Sequence, residues 1–316
     1  MTTSNMTGSG ISGPSDPPQS TRAAILIPFG IVTLIWGSTW LVIRDQLAVV
    51  PPSWSISYRF LVAGIAMAIY ASIKRESFRF DARGYAFAAV IGVALFTFNF
   101  NFVYRAEHYV TSGLVAVVFA LLLVPNAIFG RIFLKQRLGR QLMLGCAVAM
   151  AGVALLFINE ARVDPHGPRS ATIGIVLTLC GVMAASVANV IQGSAFAKRY
   201  PMAPVLAIAM LIGACLDAAF AWITTGPPVF EARFGYVAGI LYLGVFASAL
   251  AFPLYFNVIR AIGPAKAAYS GVIVPVIAML LSTLFERYHW STLAVAGAVL
   301  SGIGLVIALS ARRPAR

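Results

Sequence analysis

"FTFNFNFVYR" (residues 96–105) puts phenylalanine at every second position and polar residues between, the period of a half-buried β-strand. Its surroundings give the opposite reading. The stretch closes an apolar run of some 21 residues beginning near position 84. That length suits a membrane-crossing helix, which needs about 20 residues, whereas a strand of a membrane barrel needs only about 9–11. A lone strand in lipid would leave its backbone amides unpaired, at several kcal/mol per group. The run is therefore expected to be a helix, and its alternation incidental.

The rest of the chain repeats the pattern. Of 316 residues, 60% are hydrophobic and 10% charged, and the mean hydropathy is +0.87. A soluble domain carries about a quarter charged residues. Ten apolar stretches are readable, at about 23–43, 54–73, 84–104, 111–134, 141–158, 172–197, 203–223, 236–258, 268–285 and 291–309. The expected fold is an all-α polytopic membrane protein of ten transmembrane helices. The short gaps leave no room for a folded aqueous domain. Residues 1–22 are rich in Ser, Gly and Pro and read as a disordered tail, and 310–316 as a second tail.

The net charge of +13 suggests nucleic acid only until the charges are placed. Most of the 23 Lys and Arg fall on the loops that share a side with both termini. The positive-inside rule then puts both termini in the cytoplasm, and the basic excess meets anionic lipid rather than nucleic acid. Trp40, Trp54, Trp222 and Trp290 map to the opposite interface. Cys146, Cys180 and Cys215 lie in three separate spans without metal or disulfide spacing and read as packing residues. His108, His166 and His289 map to outer loops as surface residues. No phosphate loop, zinc-protease motif or nucleophile elbow is present, so no enzyme activity, cofactor or metal is expected.

The chain also contains a repeat. "VPNAIFGRIFLKQ" runs from Val124 to Gln136, and "VPVIAMLLSTLFE" from Val274 to Glu286, so Pro125 and Pro275 correspond at an offset of 150. Beyond a two-residue insertion, Gly145 corresponds to Gly297 and Gly152 to Gly304. Five spans per half is an odd number, so the halves would cross the membrane in opposite senses. Secondary transporters use this inverted-repeat architecture, with the substrate site near the midplane between repeats.

"IWGSTWLVIR" (35–44), "SYRFLVAG" (57–64), "AEHYVTSGLVAVVFALLLVP" (106–125) and "VIRAIGPAKAAYSGVIVPVIAMLLSTLFE" (258–286) together resemble the EamA-type repeats of the drug/metabolite transporter superfamily. The resemblance implies a first repeat at 23–158, an outer linker at 159–171 and a second repeat at 172–309. It also implies export of amino acids or related metabolites, as in the YddG-like amino acid exporters, from the bacterial inner membrane. Family members usually carry an acidic residue where this chain has Gln136, while the second repeat keeps Glu286.

Several intramembrane residues are candidates for the substrate pathway. Arg59 and Asp217 are the only opposite charges read inside spans, at similar depths, and three readings stay open: an ion pair, a substrate carboxylate site with a proton-coupling group, or an Arg59 that snorkels to the outer interface with Asp217 satisfying a local neighbour. At 100° per residue, Thr97, Asn101 and Tyr104 share a stripe, with Asn99 facing away, so that stripe is expected to face the cavity. Ser186, Asn189, Gln192 and Gly193 share a face of the sixth span, Asn257 lies near the inner end of the eighth, and Trp36 and Trp40 share a face of the first. Pro125 and Pro275 are candidate kinks or gates. The expected partners are a small-molecule substrate and membrane lipids, with no nucleic acid; a monomer is the first reading and a dimer the alternative. Without an ATP site, transport would be facilitative or proton-coupled. A cationic-drug carrier would want an acid in the first span, and residues 23–43 have none. A carrier of other drugs or metabolites stays open as the alternative, and a membrane-embedded receptor or enzyme is disfavoured by the repeat.

Overall fold

The computed structural model describes residues 19–135, 139–163, 168–267 and 270–310. The described residues are helical with no strand. We label the main helices α1 (Gln19–Gln46), α2 (Pro52–Ile73), α3 (Ala82–Ala106), α4 (Ser112–Leu134), α5 (Arg140–Val163), α6 (Pro168–Gln192), α7 (Met202–Thr225), α8 (Phe234–Ile262), α9 (Ser270–Phe285) and α10 (Thr292–Leu309). Seven of the helices are long and apolar enough to cross a membrane. Many of their large apolar side chains face outward, Ile73, Ile132, Phe133, Ile223, Val276 and Phe285 among them. Such a surface is a liability in water and the natural outer face of a protein in lipid.

The quoted stretch is helical, as its length requires, but not uniformly α. Residues Gly92–Asn99 form a π-helical segment within α3, and Tyr242–Leu250 form another within α8. A π-turn bonds each amide to the carbonyl five residues back and widens the helix. In α8 the Ser248 hydroxyl donates to the Leu243 carbonyl, also five residues back, at 2.7 Å. Around Pro125, which lacks an amide hydrogen, α4 tightens into a 3₁₀ turn at Ala120–Leu122 before resuming as α-helix.

Packing between the chain's halves is reciprocal. α5 packs most extensively on α10, and α2 on α7. Contacts of α3 with α7 are matched by α8 with α2, those of α1 with α9 by α6 with α4, and those of α1 with α8 by α6 with α3. The two π segments begin 150 residues apart, and Lys135 and Arg287, which follow α4 and α9, both have positive φ, 54° and 56°.

Between α5 and α10 the backbones nearly touch. A Cβ on Gly145 would overlap Ala308, one on Gly152 would overlap Ser301, and one on Gly304 would overlap the backbone of Ala149. Close backbone approach of this kind substitutes van der Waals contact for the hydrophobic drive that is missing between helices in lipid. At the helix ends, Asp81 caps α3 by accepting from the Gly84 amide at 2.9 Å and from the Tyr200 hydroxyl at 2.7 Å. The 1–22 tail lies outside the described residues up to position 18, as do Gln136, His166 and the tail beyond position 310.

Two expectations of placement are corrected. Trp54 and Trp40 are buried within the protein, whereas Trp222 and Trp290 are exposed. Cys180 and Cys215 are exposed on the helix surface, and only Cys146 is a buried packing residue. Both corrections have one cause: depth along a helix is readable from sequence, whereas rotation about its axis is set by neighbours.

The α5–α10 contact predicts that two neighbouring glycines respond with opposite signs. Gly304→Ala should destabilise the protein by about 1–3 kcal/mol through overpacking. Gly302→Ala, whose Cβ would meet open space, should leave it unchanged or add up to ~1 kcal/mol of helix propensity. Thermal melting of the two variants in detergent checks the signs.

Candidate functional site

A cavity of about 110 Å³ lies at the centre of the bundle, lined by α1, α2, α3 and α4 from the first half and α6, α8 and α9 from the second. Its wall is mainly aromatic and aliphatic: Trp36, Trp40, Phe100, Phe119, Phe252 and Tyr255, with Leu95, Val103 and Val274. Thr39, Arg59, Asn99 and Asn189 supply its polar groups, and Pro275 lies at its edge. Trp36 is fixed by its indole N–H, which donates to the Ala247 carbonyl at 3.1 Å, and by edge contacts with Tyr255 and Phe252.

Among the described residues Arg59 is the one charged side chain on this wall, and only 2% of its surface is exposed. Its Nε donates to Ser248 Oγ at 3.0 Å, and one terminal nitrogen donates to the Tyr104 hydroxyl at 3.4 Å. The Tyr104 hydroxyl in turn donates to Gln46 Oε1 at 3.2 Å. The guanidinium lies over the Phe100 ring, 4.4 Å from its centroid, and 5.2 Å from that of Phe60. The π segment of α8 has a direct role here, since it sets the Ser248 oxygen that receives Nε. Among the described residues no carboxylate pairs with Arg59.

Arg59 and Asp217, expected at similar depth, do not meet. Asp217 is fully buried between α7 and α3, where Oδ1 accepts from Asn101 Nδ2 at 2.6 Å. Arg105 belongs to the last turn of α3 and turns back into the same cluster. It donates to Asn101 Oδ1 at 2.5 Å and to Ser53 Oγ at 2.9 Å, while Ser53 also donates to Asn101 Oδ1 at 2.6 Å. Asp217 Oδ2 has no hydrogen-bond partner among the described residues.

The asparagine on the cavity wall is Asn99, not Asn101. The expected Thr97–Asn101–Tyr104 stripe instead faces α2 and α7. Asn101 and Tyr104 are tied into the two networks above, and Thr97 Oγ1 is buried without a partner among the described residues. Asn99 and Asn101 are both buried, so burial in protein could not choose between them. On α6, Asn189 lines the cavity, whereas Gln192 lies below it, accepting from Arg260 at 3.0 Å. Asn257 is exposed on the outside of α8 and does not reach the cavity, so its expected place in the pathway is corrected. Pro125 is buried in α4 away from the wall.

A second acidic cluster went unread in the sequence. Glu286 accepts from the Ser112 amide at 3.2 Å and from its hydroxyl at 2.8 Å, capping the N-terminus of α4, with Arg44 at 3.9 Å. Beside it, Glu107 is fully buried just past the end of α3, and neither carboxylate oxygen has a partner among the described residues. Burial first, and the nearby Glu286 second, push the Glu107 carboxyl well above its ordinary range against the opposing pull of Arg44.

With this geometry in view, comparison with known proteins is decisive. The model of the EamA-like transporter family matches residues 24–158 and again 172–310. This chain belongs to the EamA-like transporter family. Protein PagO of Salmonella typhimurium is 26% identical over 294 residues, 92% of this chain and 94% of that protein. The inner membrane transporter YedA of Escherichia coli strain K12 is 29% identical over 273 residues, 83% and 84% of the two chains. A solved crystal structure superposes with a TM-score of 0.65 at 19% identity, covering 91% of this chain and 96% of the other, which shows a shared fold. The protein is thus an EamA-family transporter of the inner membrane, multi-pass, and not an enzyme.

Glu107 gives a pH prediction. Its folded-state pKa is raised, so the stability it contributes is greatest below the ordinary carboxylate pKa and is lost as pH rises toward the folded value. Glu107→Gln should therefore raise the melting temperature at neutral pH, and the gain should shrink as the pH is lowered toward 4. A melting series across pH checks both points.

Proposed function

We propose that this EamA-family transporter exports amino acids or related small metabolites bearing a carboxylate, by alternating access and without ATP. One observation carries the reading. The cavity is walled by both halves of the chain and presents a buried arginine with no carboxylate partner among the described residues, set among aromatic rings. A guanidinium left without a counter-charge in an apolar site is a strong receptor for a carboxylate, which it binds in a bidentate, charge-assisted pair.

The proposal includes ten membrane spans in two five-helix repeats of opposite orientation, with both termini cytoplasmic. The reciprocal packing of the halves, the paired π segments and the matching glycine contacts support it. Two similar units around one central site could exchange conformations, opening the site to each side in turn. Asp217 is the proposed coupling group if protons drive export, since its second oxygen is buried and unpartnered beside Asn101. A monomer is the proposed working unit, with lipid around it and no nucleic acid.

Counterflow in proteoliposomes tests the reading. Labelled phenylalanine, methionine or threonine should enter vesicles preloaded with a subset of amino acids, in the absence of ATP. Arg59→Gln should weaken apparent affinity about 10–100-fold, the equivalent of ~1.5–3 kcal/mol for hydrogen bonds to a charged group. Asp217→Asn should abolish the response of transport to an imposed pH gradient while exchange persists. Exchange of no amino acid by folded protein contradicts the substrate class, and an unchanged pH response removes Asp217 as the coupling group.

A further inference from the structure

We infer that the cavity selects monoanionic carboxylates with an apolar or aromatic tail, and discriminates against the α-ammonium of a zwitterion. The inference rests on the proposed role of the cavity as a carboxylate site and, within the carboxylate-bearing substrates proposed above, makes amino acids the weaker ligands and ammonium-free metabolites the stronger. An amino acid brings two charges, and a site fitted to it would answer both. This cavity answers one.

The chain has ten Asp and Glu. Among the described residues none of them lines the cavity. Asp217 is nearest in sequence terms to an intramembrane partner, but its carboxylate points into the α3–α7 contact, where Asn101 and Arg105 surround it. Asp45 is spent on Arg233 at 2.8 Å at a helix end. Glu286 caps α4, and Glu107 is enclosed beside it. The segment from 268 to 285 carries no acid at all.

The polar groups that do face the cavity favour an anion. Arg59 has five N–H donors, of which two are used within the protein. The Trp40 indole N–H, also on the wall, has no acceptor among the described residues. Asn99 and Asn189 are neutral, and Asn99 Oδ1, which has no partner among the described residues, offers an ammonium a dipole but no charge. An ammonium held on the same carbon as the carboxylate would sit within a few ångströms of the guanidinium, in a medium that screens like charges weakly. Aromatic faces offer a cation some attraction. The Phe100 face is already taken by Arg59 itself, and the rings of Trp36, Trp40, Phe119, Phe252 and Tyr255 that remain offer an ammonium less than a carboxylate would.

Three molecules with one carbon skeleton separate the charges: 3-phenylpropanoate, phenylalanine and 2-phenylethylamine, an anion, a zwitterion and a cation. Isothermal titration of the purified full-length protein in detergent at pH 7.5 should give 3-phenylpropanoate at least tenfold tighter than phenylalanine, with the amine weakest. Arg59→Lys should keep that order, and Arg59→Gln should bring the anion and zwitterion within about threefold of each other, both variants being checked for an intact melting transition. Phenylalanine binding as tightly as 3-phenylpropanoate, or tighter, overturns the inference and leaves the amino acid reading standing. The amine binding most tightly, or none of the three binding, overturns both.

Discussion

The structure turns on a buried positive charge that the protein leaves unanswered. Placing a guanidinium in a low-dielectric interior costs several kcal/mol unless it is well bonded. Arg59 is held by one hydroxyl, one phenol and the faces of two phenylalanines, and by no carboxylate among the described residues. These contacts keep it in place without neutralising it. The arrangement needs Ser248 turned toward α2, which the π segment of α8 provides, and Tyr104 turned the same way from α3, with Gln46 behind it. Helix irregularity and the placement of Arg59 are in this way one feature. A regular α8 would present a different face at that level.

Around this centre the rest of the molecule follows the demands of lipid. Helices gain little from burying apolar groups against one another when the surroundings are equally apolar, so the tightest interfaces use glycine. Gly145, Gly152, Gly297 and Gly304 draw α5 and α10 together, and Gly64 and Gly213 admit Leu211 and Phe96 between α2, α3 and α7. The wall of the cavity is contributed by helices on both sides of that packing. Relative movement of the halves would therefore change the cavity directly, without a lid or a hinged domain.

What the sequence disclosed follows from what lipid enforces. The run ending in FTFNFNFVYR had to be a helix, since nothing else satisfies its backbone in a membrane. Trp36, Arg59 and Pro275, each singled out in the sequence, line one cavity in the structure. Rotation about the helix axis was not readable. Asn99 and Asn101 lie on opposite sides of α3, both are buried, and the pattern of apolar residues is silent between them. Asn257 failed for the same reason, facing outward where its depth alone suggested the pathway. Arg105 was concealed differently. A charge at a helix end snorkels outward by default. Here Ser53, Asn101 and Asp217 turn it inward, and those partners lie on α2, α3 and α7, far apart in sequence. The carboxylates of Glu107 and Glu286 meet through two helix ends in the same way.

The central claim is that Arg59 receives a substrate carboxylate, and a distance tests it most directly. Solid-state NMR on the reconstituted protein, with ¹⁵N-labelled arginine guanidinium groups and a bound ligand ¹³C-labelled at its carboxyl, reads that contact through dipolar dephasing. The account predicts strong dephasing at a single arginine, at hydrogen-bonding range, that disappears in Arg59→Lys while the ligand stays bound. A ligand that binds in the cavity with no dephasing of any arginine would contradict it.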